Sequence, residues 1–285
     1  MPSAGLEAAF LFYCLLGMVP QLDAMGSGTT FRELSSGKLK EVRIPVPSLS
    51  EQRRIVAILD EAFEGIAAAK VSAGRNLLNS KEVFKARVAS LFRERDAEWI
   101  DTTLEAIAEN LDSKRIPITK GQRQAGDYPY YGASGIIDFV NEYIFEGDCL
   151  LVSEDGANLL MRSSPIAFSV SGKYWVNNHA HILRFPDTAT QRYVEFYLES
   201  IPIDRYVTGA AQPKLTQRAM NSIPVPMPKR LDRRKQIVDR IGHLESLTAA
   251  AKKICEAKLS ALDELKASLL HQAFSGALVG HHESK

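Results

Sequence analysis

The side chains here that could do chemistry are a pair of histidines, scattered cations and loop amides. His179 and His181 fall on one face of an expected strand, at a spacing that could chelate a metal. No cysteine or carboxylate is spaced to complete a zinc set, so no metal is expected. Cys14, Cys149 and Cys255 lie far apart with no C-x-x-C pair. That excludes a disulfide scaffold and a cysteine-rich zinc module, and it suits a reducing cytoplasm. Ser153-Glu154-Asp155-Gly156 reads as a tight turn, since two adjacent acids alone do not make a catalytic pair. The sequence has no G-x-G-x-x-G, Walker lysine loop, G-x-S-x-G or H-E-x-x-H. No catalytic residue is assigned, and the chain is not expected to be an enzyme.

What remains is contact chemistry. Lys114, Arg115, Lys120 and Arg123 crowd into one short stretch and are the best candidates for phosphate contacts, which carry much of the affinity for a duplex. Lys214 and Arg218, far along the chain, would complete one electropositive lip if the two stretches meet. Arg162 joins this set. Asn177 and Asn178 read first as turn residues, although asparagine can pair with the edge of adenine. His179 could add one polar contact. Ser134 and Asn158 lie in expected loops, where function concentrates. Tyr130 and Tyr131 read first as packing residues with hydroxyls able to reach a sugar or phosphate. The Gly209–Lys214 loop offers Gln212 and Lys214 to a groove, or simply to solvent.

The elements that must position these residues come from a repeat. Ile44-Pro45-Val46-Pro47 returns as Ile223-Pro224-Val225-Pro226, and Ala67-Ala68-Ala69-Lys70 returns as Ala249-Ala250-Ala251-Lys252. Leu77, Val83, Val88 and Phe92 fall on Leu259, Leu265, Leu270 and Phe274. Upstream, Leu11-Phe12-Tyr13 matches Glu195-Phe196-Tyr197. Each copy is a proline-bounded extended segment followed by a long helix. The first helix is expected from about Glu51 to Arg93, with Ser48 and Glu51 at capping-box spacing. The second is expected from an N-cap at Asp232 to a stop at Gly276. Leu59, Phe63, Ile66, Leu77, Phe84 and Leu91 form one apolar seam, and Ile237, Ile241, Leu244, Leu262, Leu265 and Leu269 form the other. At about 1.5 Å per residue each helix spans roughly 60 Å, too long to bury its stripe on a small domain. The other copy is the natural partner, in an antiparallel coiled coil. Between them, residues 101–228 hold short β-branched and aromatic runs with Gly/Asn/Tyr turns, and a helix over Gln191–Ser200. The fold class is therefore α+β: a mixed α/β globule flanked by two long helices.

The chain is 45% hydrophobic and 24% charged with a net charge of +1, ordinary for a folded protein. Residues 51–95 and 229–276 are net basic, while 101–228 carry an acidic excess, so the globule is no basic patch as a whole. The Ala8–Val19 apolar run is too short for a membrane span and reads as a buried helix. No membrane association is expected.

Three stretches carry a family resemblance: Tyr128-Pro-Tyr-Tyr-Gly-Ala-Ser-Gly-Ile-Ile with Phe145-Glu-Gly-Asp-Cys-Leu-Leu-Val-Ser-Glu-Asp-Gly156; Trp175-Val-Asn-Asn-His-Ala-His-Ile-Leu183; and the repeated Ile-Pro-Val-Pro, with Glu51-Gln-Arg-Arg-Ile-Val in copy one and Leu269-Leu-His-Gln-Ala-Phe-Ser-Gly-Ala-Leu278 closing copy two. In combination they resemble the specificity subunit of type I restriction–modification systems. The resemblance implies two target-recognition domains alternating with two long helices, each domain reading half of a bipartite DNA sequence. It implies three partners: double-stranded DNA, an adenine methyltransferase subunit, and an ATP-driven restriction subunit. S-adenosylmethionine, ATP and magnesium are expected only on those partners, so this chain needs no cofactor. The Asn/Asp-Pro-Pro-Tyr/Phe signature of adenine methylation is absent. Against the family plan, only one recognition domain is complete. Residues 1–47 are expected to be the tail of a first one, 48–95 the central helix, 96–228 the complete recognition domain and 229–280 the C-terminal helix. The front of the first domain is expected to lie ahead of Met1. An exposed remnant could pair with a second copy by two-fold symmetry. The alternative is an assembly subunit that binds the methyltransferase without reading DNA.

Overall fold

A computed structural model of the chain describes residues 5–28, 33–209 and 211–275. Its helices begin with α1 (Ala8–Gly17), α2 (Val19–Met25), α3 (Ser36–Glu41) and α4 (Leu49–Arg93). The globule follows as β1 (Trp99–Thr103), α5 (Leu104–Ile107), β2 (Glu109–Asn110), β3 (Ala125–Gly132), β4 (Gly135–Val140), β5 (Phe145–Glu146), β6 (Cys149–Ser153), α6 (Asn158–Met161), β7 (Ala167–Val170), β8 (Lys173–Val176) and β9 (Ala180–Arg184). It continues with α7 (Thr188–Ser200), β10 (Val207–Thr208), β11 (Lys214–Leu215), α8 (Gln217–Asn221) and β12 (Pro224–Pro228), and the chain then enters α9 (Leu231–Phe274). The stop expected at Gly276 lies outside the described residues, as does the end of the third resemblance stretch. Two compact units divide the chain: residues up to Ser80 with those from Ala249 onward, and Lys81–Thr248. No single helix among the described residues is long and apolar enough to cross a membrane.

In the first unit, Phe10 of α1, Ile55 and Leu59 of α4, and Leu270 and Ala273 of α9 close one core, with Phe63 and Phe274 packed on it. The start of α4 therefore lies against the end of α9. Lys70 pairs with Asp263 across these helices. Phe10 meets Phe274 edge-on at 5.3 Å. Gln52 is buried and ties the entry of α4 together, receiving Glu7 N–H at 2.8 Å and donating to the Pro47 carbonyl at 2.8 Å. At the helix start, Ser48 accepts the Glu51 N–H at 3.4 Å, but Glu51 turns to Arg54 at 2.8 Å, so only half of the capping box forms.

In the second unit the same grammar recurs. Val88, Leu91 and Phe92 of α4 share a core with Ile237 and Ile241 of α9 and with Tyr193 and Val194 of α7. The end of α4 thus joins the start of α9, and the two long helices pack antiparallel. Phe92 meets Tyr193 edge-on at 5.2 Å. α9 begins one residue before Asp232, which sits in its first turn and pairs with Arg230 at 2.8 Å rather than capping it. Of the expected seam, Leu59, Ile66, Leu91, Ile237 and Ile241 are buried, and Phe63, Leu77, Phe84, Leu244, Leu262 and Leu269 are half-buried. Leu265 is a correction: it is 47% exposed. The seam steps from Leu262 to Lys266, whose ammonium lies 4.9 Å over the Phe63 ring, which leaves Leu265 on the outer face.

The globule stacks a sheet of order β2-β9-β6-β7 and a second of order β4-β3-β8-β5. β6 reads Cys-Leu-Leu-Val-Ser and is buried throughout. Alternate side chains of a strand face opposite ways, and here both sides are core. Leu150 and Val152 face the α7 side, while Cys149 and Leu151 face Tyr174 and Val176 of the second sheet. Asp187 caps α7 by accepting Thr190 N–H at 2.8 Å, which starts that helix at Thr188, ahead of the expected Gln191. The antiparallel β1–β12 ribbon, which closes the two ends of the globule, pairs Thr103 with Pro224 and Trp99 with Pro228. Its second strand is the repeated Ile-Pro-Val-Pro, held at an edge as its prolines require.

Candidate nucleic-acid interface

Four connections of the Lys81–Thr248 unit meet at one edge. β3 and β8 run parallel, with Tyr131 beside Val176, so the β3–β4 turn and the turn after β8 are neighbours. β6 and β9 run antiparallel, with Ser153 beside Ala180, which brings in the turn after β6. The hydroxyl of Ser153 donates to the Ala133 carbonyl, and Asn177 N–H donates to Tyr131 at 3.0 Å. Glu154 N–H donates to the His179 carbonyl at 2.9 Å. The β10–β11 hairpin is stitched to the same place: Leu215 N–H donates to the Glu154 carbonyl at 2.8 Å and Gly156 N–H to the Pro213 carbonyl at 3.0 Å. Gly209 has φ +87°, and a Cβ there would stand 2.4 Å from the Gln212 carbonyl oxygen, so this hairpin requires glycine.

A charged cluster lies beneath the turns. His181 is 1% exposed, with Nδ1 at 2.5 Å from an Asp112 carboxylate oxygen and Nε2 at 2.8 Å from the Leu215 carbonyl. With an oxygen at hydrogen-bonding distance from each nitrogen, the ring is fixed from both sides. Arg115 Nη1 donates to Glu154 at 2.6 Å and to the Ala180 carbonyl at 2.8 Å. Lys214 Nζ reaches the other Glu154 oxygen at 3.1 Å. Burial pushes the Asp112 carboxyl up, but the His181 hydrogen bond and charge, with Ile182 N–H and Arg115, outweigh it and hold the group below its ordinary value. Burial likewise pushes Glu154 up, and Arg115, His181 and Lys214 together bring it below its ordinary value. Asp112, Glu154 and His181 offer ligand atoms within 4.8 Å of one another, a set a cation could use. The Arg115 guanidinium, 3.5 Å from Asp112 and 2.6 Å from Glu154, takes that place.

The two cationic stretches do meet, with Arg115 and Lys214 converging on Glu154. Arg115 is largely covered there, whereas the Lys214 side chain stays 49% exposed. Lys114 lies 3.5 Å from Glu109. Arg123 pairs with Asp138 at 3.2 Å and covers the Tyr130 ring at 4.4 Å; its hydrogen bond, with Phe139 N–H, holds Asp138 below its ordinary value. Lys120 and Arg218 are exposed and have no ion pair among the described residues.

Several expected contact residues serve the fold instead. Tyr130 is buried and donates to the Ile118 carbonyl at 3.3 Å. Tyr131 packs on Phe168 and Tyr174. Arg162, left-handed at φ 50°, donates to the carbonyls of Leu198 and Ile201 at the end of α7. Asn158 closes its own loop on Ser163 and Ser164. Asn177 is buried, and its side-chain Oδ1 accepts His179 N–H at 2.8 Å. The two histidines do not share a strand face. β9 starts at Ala180, His179 stands in the preceding turn with Nδ1 at 2.8 Å from Asp155, and His181 points into the core. Ser134, Asn178, His179 and Gln212 remain exposed on the four-turn edge. Sequence gave no sign of Asp112, and it marked Glu154 and Asp155 as turn residues alone. The Glu154-Asp155 turn was legible, but its partners lie far away in the chain.

The class of protein follows from these findings. The fold is that of type I restriction–modification specificity subunits. It matches the HsdS subunit from Thermoanaerobacter tengcongensis with a TM-score of 0.62, at 18% identity over 95% of this chain and 71% of that one. It also matches a chain from a type I R-M system, solved to explain complex assembly and conformational transition, with a TM-score of 0.77 at 17% identity over 93% and 70%. The chain belongs to the type I restriction modification DNA specificity domain family, whose model matches residues 2–70 and 97–258. A Haemophilus influenzae relative, named for a type I restriction enzyme specificity subunit, is 33% identical over 154 residues, which are 54% of this chain and 39% of the relative. The Escherichia coli type I restriction enzyme EcoprrI specificity subunit is 22% identical over 89% of this chain and 65% of its own length.

Proposed function

We propose that this chain is a non-catalytic DNA-recognition component of a type I restriction–modification complex. The Lys81–Thr248 unit reads a short half-site of duplex DNA, and the paired helices α4 and α9 dock a methyltransferase subunit and a restriction subunit. S-adenosylmethionine, ATP and magnesium act on those partners.

The observation that carries this reading is the four-turn edge. Its turns are tied to one another by backbone bonds, and Ser134, Asn178, His179 and Gln212 are presented outward from it. Base edges are read by side chains set at fixed positions, and a pre-tied edge orders them before DNA arrives. The family membership supports the same reading. Electrophoretic titration of the chain, assembled with its methyltransferase subunit, against random-sequence duplexes at low salt tests it. Retained DNA is expected, whereas free DNA throughout the titration would contradict the reading.

A further inference from the structure

We infer that the cluster of Asp112, Arg115, Glu154 and His181, with Lys214 reaching Glu154 from the surface, is a positioning device for the β10–β11 hairpin, in which Lys214 serves Glu154 rather than a phosphate. The inference rests on the reading of the Lys81–Thr248 unit as the DNA-reading part.

Three ties converge on two residues of β11. Lys214 forms an ion pair with Glu154 at 3.1 Å. Leu215 gives its N–H to the Glu154 carbonyl at 2.8 Å and takes His181 Nε2 on its own carbonyl at 2.8 Å. Glu154 in turn is clamped by Arg115, and His181 by Asp112. The two strands pair over only two positions, and Leu215, with Val207 packed beside it, anchors the hairpin in the core. A two-stranded ribbon that short has marginal stability by itself. Its setting against the globule therefore comes from that core packing together with the cluster, which spans β9, the turn after β6 and the segment after β2. Gln212 lies between β10 and β11, so the cluster sets where it stands.

A lysine that contacts a phosphate and one that positions a loop differ in salt response. Removing a phosphate contact lowers the slope of log K against log salt by about one and weakens all duplexes alike. Removing a positioning lysine leaves the slope intact and erodes discrimination. The test uses the full chain assembled with its methyltransferase subunit, as wild type, Lys214→Gln and Lys214→Arg. Binding to the preferred duplex and to a scrambled duplex is followed over a salt series. Hydrogen exchange of residues 207–216 is measured without DNA.

Lys214→Gln is expected to lose about tenfold in discrimination at unchanged salt slope and to exchange faster over 207–216. Lys214→Arg, which keeps the pair with Glu154, is expected to match wild type in both. A slope lower by about one with discrimination intact would overturn the inference, as would unchanged exchange in Lys214→Gln. A wild-type complex that binds DNA without preferring any sequence would instead overturn the underlying reading, and the inference with it.

Discussion

At the scale of single residues, the cations are mostly consumed. Arg115, Arg123, Arg162 and Lys214 all have partners within the globule. Sequence spacing showed where charge clusters along the chain but not which charges cancel, because the carboxylates that neutralise them come from elsewhere. Asp112 meets His181 from 69 positions away. This pairing gives the unit an acid sensitivity of known sign. Asp112 and Glu154 are held below their ordinary values of 3.8 and 4.5. Their contribution is therefore fully present above those values and is lost as pH falls through the lower folded-state ones. Asp112→Asn removes its share. In thermal melts the gap between wild type and variant is expected to be widest above about pH 5 and to close under stronger acid; a gap independent of pH would contradict the assignment. Glycine at 126 has a separate role. A Cβ there would stand 2.3 Å from the Asn141 Cα, in the irregular part of the β3–β4 pairing. Gly126→Ala is expected to cost roughly 1–3 kcal/mol in urea unfolding, and a neutral result would mean the strands yield freely.

At the scale of elements, the sequence repeat becomes a repeat of packing. Ile55, Leu59, Leu270 and Ala273 of the first unit correspond by chain offset to Ile237, Ile241, Val88 and Leu91 of the second, and all are buried. Each unit joins a short helix, α1 or α7, to the start of one long helix and the end of the other. This much was legible, because a long apolar stripe leaves few ways to be buried. Where the stripe runs was less so. A period of 3.6 does not fix whether the next step is three or four, and hydrophobicity favoured Leu265 over Lys266. The structure prefers the lysine, whose apolar stem can cover an aromatic ring while its charge reaches solvent. Leu59→Ala is expected to cost about 2–5 kcal/mol and Leu265→Gln less than about 0.5 kcal/mol, both read by chemical denaturation. Equal losses would place Leu265 back in the seam. The short strands were legible as β-rich runs, whereas the parallel pairing of β3 with β8 was not, since register between distant strands leaves no local mark.

At the scale of the molecule, the near-zero net charge of +1 conceals basic helices and an acidic globule. A chain read only by bulk charge would be set aside as a nucleic-acid binder. The family membership and the four-turn edge point the other way, toward recognition by a few placed side chains rather than by a broad positive field. The chain spans 39% of the Haemophilus relative and 65% of the Escherichia coli one, and the function proposed above has its Lys81–Thr248 unit read a single half-site. That claim is tested most directly by selection from a randomised duplex library, using the chain assembled with its methyltransferase subunit. One short, continuous enriched motif is the predicted result. A bound pool as random as the input would contradict the account.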